Sequence, residues 1–428
     1  MVQTDSMASD SSDFQNRPRR MGERETIAMM ALVMALQALA VDAMLPALGD
    51  MARDLAVSDP NRRQLVVGTF LLASGFASLL PGSLADRYGR RPILLGSIAI
   101  YVLFSIACAI TVSFDMLLAM RVLQAIGCGG LAVLPAAIIR DRFSGDQMAK
   151  QMSIISVVFM VVPMLAPSIG QVVLLFAGWR WIFVFLAAMG CVMGGWVAMR
   201  LPETLHPEYR QPIRPQSILI NMVGAAMNRS SIGYVLGSAL TFGAMIGYVN
   251  CSQQLVGEHF GAGPLFPVLF GFSALMMAVS NFFNSRIVER FGARRVSHTA
   301  ILAFIAISAV QTWVSSWPDQ TLWQFMPVMI ANLILIGFIG ANFSSISLQP
   351  FERTAGSASS MQAFLRTVIG SLIGIVIGQA YDGTAHPLAL GLLVTGSFSL
   401  LAVLFSEKGK LFRRIHPPGT PRPVVIEH

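Results

Sequence analysis

Runs of roughly 20 apolar residues recur along almost the whole chain, and each is long enough to cross a hydrocarbon layer about 30 Å thick as a helix rising 1.5 Å per residue. Twelve can be read, at 27–48, 65–85, 92–111, 116–139, 152–175, 181–199, 232–256, 265–287, 296–314, 322–346, 356–380 and 388–404. Composition agrees: 54% of the 428 residues are hydrophobic, only 12% are charged, and the mean hydropathy is +0.64. A soluble domain has no use for so much apolar surface, so the expectation is an all-α integral membrane protein.

The net charge of +8 could point to an acidic partner such as nucleic acid, but the placement of the basic residues argues against one. Of the 30 Lys and Arg, 24 fall in the two tails and the even-numbered loops, and four (Arg53, Arg62, Arg63, Arg180) fall in the odd-numbered loops. The remaining two, Arg121 and Arg366, lie inside spans. By the positive-inside rule both termini are cytoplasmic. The first 25 residues carry no apolar run before span 1, so no cleaved signal peptide is expected. The four cysteines all lie in spans and imply no disulfide framework.

Residues 201–230 interrupt the spans and divide them six and six. Prolines and charges make 201–215 a linker, and 217–227 is apolar enough for a short helix at the membrane surface. The expected units are a tail at 1–25, a six-helix bundle at 26–200, the linker at 201–230, a second bundle at 231–405 and a tail at 406–428. After span 2 comes Asp86-Arg87-Tyr88-Gly89-Arg90-Arg91, and after span 8 comes Glu289-Arg290-Phe291-Gly292-Ala293-Arg294-Arg295. Acid, Arg, aromatic and Gly recur in one order 203 residues apart, half the chain length, as an internal duplication would leave them.

The stretch Gly82-Ser83-Leu84-Ala85-Asp86-Arg87-Tyr88-Gly89-Arg90-Arg91 resembles the signature loop of the major facilitator superfamily. Further matches resemble its twelve-helix drug:proton antiporters, in particular the bicyclomycin and chloramphenicol resistance group. They are 42–48 in span 1, 121–127 in span 4, Ala166-Pro167-Ser168-Ile169-Gly170 in span 5, 178–183 before span 6, Leu201-Pro202-Glu203-Thr204-Leu205, and 355–359 at span 11. The resemblance covers about 25–405. It implies two pseudo-symmetric six-helix bundles, alternating access and a gating role for Gly82, Asp86, Arg87, Gly89 and Arg90, with Asp86 facing the start of span 11. It also implies a bend at Pro163, Pro167 and Gly170, although this chain has Ala166 where many antiporters have Gly.

Asp42 is the only acid placed well inside a span, and an ionisable group there is a functional candidate by default. It lies about 9 Å below the outer end of span 1, and Arg121 lies about 7.5 Å below that of span 4. The two are at matching depth, and if spans 1 and 4 face one cavity, as the resemblance implies, Arg121 can hold Asp42 ionised until a proton or substrate displaces it. A fixed ion pair locking two helices is the plainer alternative. Some related exporters carry a second acid where this chain has Met34.

Arg366, about 15 Å into span 11, brings the intramembrane charge of Asp42, Arg121 and Arg366 to +1, which favours neutral or anionic substrates over cations. Substrate-cavity candidates are Met34, Gln37, Gln124, Asn250, Gln254, Asn342, Gln362 and Arg366, each of which would serve equally in helix packing. Gly370, Gly374 and Gly378 form a small-residue stripe suited to close packing.

No HExxH, GxSxG, phosphate loop or metal-spaced His/Cys cluster occurs, so neither an enzyme nor a metal site is expected. The expectation is a proton-coupled exporter of drug-like molecules in a bacterial inner membrane, acting as a monomer and driven by the proton gradient without a cofactor. A proton-coupled uptake symporter for a polar metabolite is the alternative within transport. Outside transport it is a receptor or assembly protein with a transporter fold.

Overall fold

The computed structural model describes residues 21–143, 145–206, 208, 224, 228–351 and 355–412. The expected helix at 217–227 lies outside the described residues apart from Gly224, as do 1–20 of the first tail and 413–428 of the second. Among the described residues there is no strand.

Among the described residues fourteen α-helices account for the twelve spans. The first span is α1 (Glu23–Asp42) followed by α2 (Leu48–Asp54), and the second is α3 (Leu65–Ala77) followed by α4 (Pro81–Tyr88). Spans three to six are α5 (Arg90–Ala109), α6 (Phe114–Arg142), α7 (Gly145–Phe176) and α8 (Arg180–Arg200). The second half contributes α9 (Arg229–Gln253), α10 (Phe266–Phe291), α11 (Ala293–Val314), α12 (Leu322–Leu348), α13 (Ala355–Gln379) and α14 (His386–Ser406). Ten of these units are long and apolar enough to cross a membrane, and the pair Pro60–Ala77 and Pro81–Tyr88, bent by 41°, makes an eleventh. The twelfth position is α7, a 32-residue helix whose stretch Val161–Phe176 is apolar.

Two proline positions explain the breaks. Pro46 has no N–H for the Asp42 carbonyl four residues earlier, and α1 ends at Asp42 before a short 3-10 turn, Leu45–Ala47. Pro81 stands in the same relation to Ala77, where α3 has ended. Helix starts are capped by sequence-local means: the Ser113 hydroxyl accepts the N–H of Met116 (3.3 Å), and Thr321 with Gln324 forms a capping box at α12.

Within the first half α5 packs on α6 and α8; within the second α9 packs on α13 and α14, and α11 on α12. The halves meet where α3 lies against α13 and α7 against α10. The glycine stripe of α13 makes its close packing against α9, where a β-carbon on Gly370 would come within 2.5 Å of Phe242 and one on Gly374 within 2.4 Å of Ile246. The duplicated turn is duplicated in backbone too: Gly89 has φ 104° and Gly292 φ 86°, a region few side chains tolerate, and each immediately precedes the next helix. Both chain ends of the described bundle and both copies of this turn lie at one end, called here the terminal end. The opposite end carries 42–64 and 254–265.

Candidate functional site

Arg121 is fully buried on α6, where a guanidinium needs acceptors on every side. It has them: Nε donates to the Val66 carbonyl (3.2 Å), one terminal nitrogen to Gln124 Oε1 (2.6 Å) and the other to the Ala40 carbonyl (3.0 Å). Its plane lies over the Phe70 ring, 3.9 Å from the centroid, and Gln124 is itself held on the Ser105 hydroxyl (2.6 Å). Asp42 closes α1 two residues beyond Ala40 and is 7% exposed. The expected ion pair is not formed in this conformation: Asp42 has no hydrogen bond or salt bridge among the described residues. The Ala40 carbonyl takes the place on Arg121 that the carboxylate was expected to fill.

The backbone next to Asp42 meets α7. A β-carbon on Gly170 would come within 1.8 Å of the Ala43 carbonyl oxygen, so only glycine lets the two chains approach here. Pro163 and Pro167 lie inside α7, one turn apart on the path to that contact, and the helix continues through both. Gly170 therefore seats α7 against the interruption in α1, beside the isolated carboxyl.

At the terminal end Asp86 pairs with Arg90 (2.7 Å), whose Nε also reaches Asp141 (3.0 Å). Arg87 lies over the ring of Tyr88, and Gly82 faces Val133 at ordinary contact distance. The segment α4 packs on α5 and α6 of its own half, and Arg90 is the partner Asp86 shows among the described residues. Residues 352–354, just before α13, lie outside those residues. Sequence reasoning missed two residues of this cluster. The Glu203 carboxylate accepts the backbone N–H groups of Arg90 (2.8 Å) and Arg91 (3.2 Å), capping α5, and a β-carbon on Gly89 would sit 2.5 Å from it. Asp141 also takes the Thr204 hydroxyl (3.2 Å). The motif Leu201-Pro202-Glu203-Thr204-Leu205 was the available signal.

The second half repeats the arrangement with other residues. Glu407, just past α14, accepts from Arg294 Nε (2.8 Å) and from the Tyr234 hydroxyl (2.6 Å), which also contacts His298 Nε2 (3.0 Å). Burial works to raise the Glu407 carboxyl, but the hydrogen bonds from Tyr234 and Arg294 outweigh it and its pKa is lowered.

The substrate-cavity candidates separate into two groups. Asn250 bonds the Gly374 carbonyl (3.0 Å), Asn342 bonds Asn284 (2.8 Å), Gln254 bonds Gln64, and Gln124 supports Arg121, so these four tie helices together. Gln37 reaches only the Ser74 hydroxyl (3.3 Å), Met34 is half-buried, and Gln362 lines a small recess with Ser231, Ser347 and Phe351. Arg366 differs from Arg121. It is only partly buried, its Nε is unpaired, and its contact among the described residues is with the Phe242 ring, 5.0 Å from the centroid. An unpaired buried donor costs about 1–3 kcal/mol, and more on a charged group.

The polar contacts between the halves gather at the opposite end. Arg63 makes two hydrogen bonds to Glu258 (2.7 and 2.6 Å), Gln64 bonds Gln254, and Asn61 donates to the carbonyls of Gln379 (3.2 Å) and Tyr381 (2.6 Å) while accepting from Gln379 Nε2 (2.8 Å). At the terminal end of α13, Ser359, Ser360 and Ala363 are exposed. Ala363 is nine residues, two and a half turns, from the exposed Leu372, so the two face opposite ways. Among the described residues the polar contacts between the halves thus gather at the opposite end, while apolar contacts continue toward the terminal end, where the Phe76 and Phe364 rings meet at 5.4 Å and a β-carbon on Gly75 would come within 2.9 Å of Val368.

Comparison with known proteins follows the same lines. The chain is 28% identical to a bicyclomycin resistance protein homolog of Haemophilus influenzae over 392 residues, 91% of this chain and 97% of the relative. It is 27% identical over 377 residues to a chloramphenicol resistance protein of Pseudomonas aeruginosa, covering 85% of this chain and 86% of that one. The fold matches that of a D-xylose–proton symporter with a TM-score of 0.71 at 13% identity, over 91% of this chain and all of that one. The family profile described as Major Facilitator Superfamily matches residues 30–375, and the chain belongs to that superfamily.

Proposed function

We propose that this transporter exports small organic molecules in exchange for protons, and that Asp42 is the group that takes up and releases the proton. The observation that carries the reading is the isolation of its carboxyl: Asp42 is buried at a helix break with no hydrogen bond or ion pair among the described residues, while the nearby arginine is satisfied elsewhere. A carboxyl buried without a partner inside a membrane is costly to keep, which makes it a functional candidate. Similarity to two resistance proteins supports export, and the basic loops support placing the terminal end in the cytoplasm of a bacterium with the opposite end outside the inner membrane. On that orientation the polar clasp lies on the outside.

Arg121 fixes the end of α1 through the Ala40 carbonyl, so that any shift of α1 after Asp42 titrates is transmitted to α6. Asp86, Arg87 and Arg90, with Gly82 and Gly89 in their turn, form the inner gate. Pro163, Pro167 and Gly170 shape α7 where it crosses the break. With Arg366 uncompensated, cargo without positive charge is favoured, and a single six-plus-six unit needs no partner chain.

The test is transport in everted vesicles with an imposed pH gradient. Asp42→Asn is expected to abolish uphill drug movement while leaving downhill exchange in place. Gradient-driven transport by a folded Asp42→Asn protein would refute the proton role. Uptake of a metabolite with no drug efflux by the wild type would favour the symporter.

A further inference from the structure

The bundle holds two arginines within its spans, and the structure treats them oppositely. Arg121 has an acceptor for each face of its guanidinium and no exposure. Arg366 shows no hydrogen bond and no ion pair among the described residues, has a buried, unpaired Nε, and is itself only half-buried. Among the described residues of its own half the acids lie at the ends of the spans or beyond them: Glu258 is engaged by Arg63, Glu289 lies at the terminal end of α10, and Glu407 is held by Arg294 and Tyr234. Its guanidinium lies over Phe242, and that ring in turn fits against Gly370, one turn further along α13. Met245, one turn from Phe242, is half-buried on the same helix, and Ala363, one turn from Arg366 toward the terminal end, is exposed.

We propose that Arg366 is the anchor for a carboxylate on the cargo, so that the preferred substrates are aromatic or otherwise apolar monoanions whose body lies along Phe242 and Met245. The proposal deepens the export reading and rests on it only for the direction of transport. A carboxylate matches the guanidinium fork with two parallel hydrogen bonds and neutralises a charge inside a span that has no ion pair among the described residues. An apolar body then takes the place of water against the ring and the thioether. A cation of the same shape would meet Arg366 without compensation.

The experiment uses the full-length protein in detergent and a matched series: naphthalene-2-carboxylate, naphthalene-2-carboxamide and (2-naphthylmethyl)trimethylammonium, titrated calorimetrically into wild type, Arg366→Gln and Arg366→Lys. Wild type is expected to bind the carboxylate at least tenfold tighter than the amide, and the cation more weakly than either. Arg366→Gln is expected to lose that tenfold preference while binding the amide within about twofold of wild type. Arg366→Lys keeps the charge without the fork and is expected to fall between. Retained amide binding and an unchanged melting temperature show that the variants fold. If Arg366→Gln misfolds, Arg366→Lys carries the test.

Equal carboxylate affinity in wild type and the folded variants, or tighter binding of the cation by wild type, would overturn the proposal. Binding is read without a gradient, so failure of the proton role of Asp42 would leave this result intact, and failure here would leave gradient-driven amide export to be judged alone.

Discussion

The carbonyl oxygen of Ala43 occupies the space into which a side chain on Gly170 would project, with a separation of 1.8 Å to the β-carbon position. This ties the resemblance to antiporters to a particular contact. The glycine of the α7 motif is there because α1 is interrupted opposite it.

Gly170→Ala should therefore separate α7 from the end of α1. The neighbour is backbone and has little freedom to yield, so a loss of about 1–3 kcal/mol is expected, the usual cost of overpacking. Thermal unfolding in detergent should show it, together with loss of transport. An unchanged melting temperature with full transport would show that the approach is not required.

The clasp at the opposite end should set the balance between conformations. Glu258→Gln removes the charge from its paired hydrogen bonds with Arg63, an interaction worth about 1 kcal/mol for a partly exposed pair. The population parted at that end should rise about fivefold. Spin labels at 59 and 382, read by pulsed dipolar spectroscopy, should show a larger long-distance fraction than in the unmutated protein. No change would remove Arg63 and Glu258 from the gate.

Glu203→Gln should loosen the first turn of α5. A neutral amide still accepts a hydrogen bond, but the charge opposite the positive helix start is lost, for about 0.5–1 kcal/mol. Hydrogen exchange at Arg90 and Arg91 should speed up about threefold or more, with little change at α11, the equivalent helix of the second half. Equal change at both would point to general destabilisation.

Glu407 supplies the pH dependence. Its folded pKa lies below the ordinary 4.5, so its stabilisation is fully present above that value and is lost as the pH falls through the lower folded value. Wild type should lose more stability between pH 6 and acid than Glu407→Gln, whose side chain does not titrate. Parallel unfolding curves for the two proteins across that range would count against the assignment.

Much of the fold was legible because a bilayer imposes its own periodicity. Apolar run length located the spans, and two acid-Arg-aromatic-Gly turns revealed the duplication before any packing was known. The site was legible only in part. Asp42, Arg121 and Arg366 stood out because charge inside a membrane is costly, but depth along a helix says nothing of azimuth. Matching depth therefore suggested an ion pair between Asp42 and Arg121, whereas Arg121 reaches the Ala40 carbonyl on the same helix. Asn250 and Asn342 were candidates for ligand binding with helix packing as the plainer role, and in this structure they bond neighbouring helices. Glu203 went unnoticed as a cap because its partners are backbone N–H groups 112 and 113 residues away, which no local pattern encodes.

The clasp of Asn61, Arg63, Gln64, Gln254, Glu258 and Gln379 is made of groups that water also satisfies well. Breaking it trades protein hydrogen bonds for solvent ones, so each bond weighs only about 1 kcal/mol net on the balance between arrangements of the halves. One proton moving down a one-unit pH difference releases about 1.4 kcal/mol. On the proposed proton coupling, each bond of a clasp made of amides and one half-exposed ion pair is thus of a size that a single proton can offset.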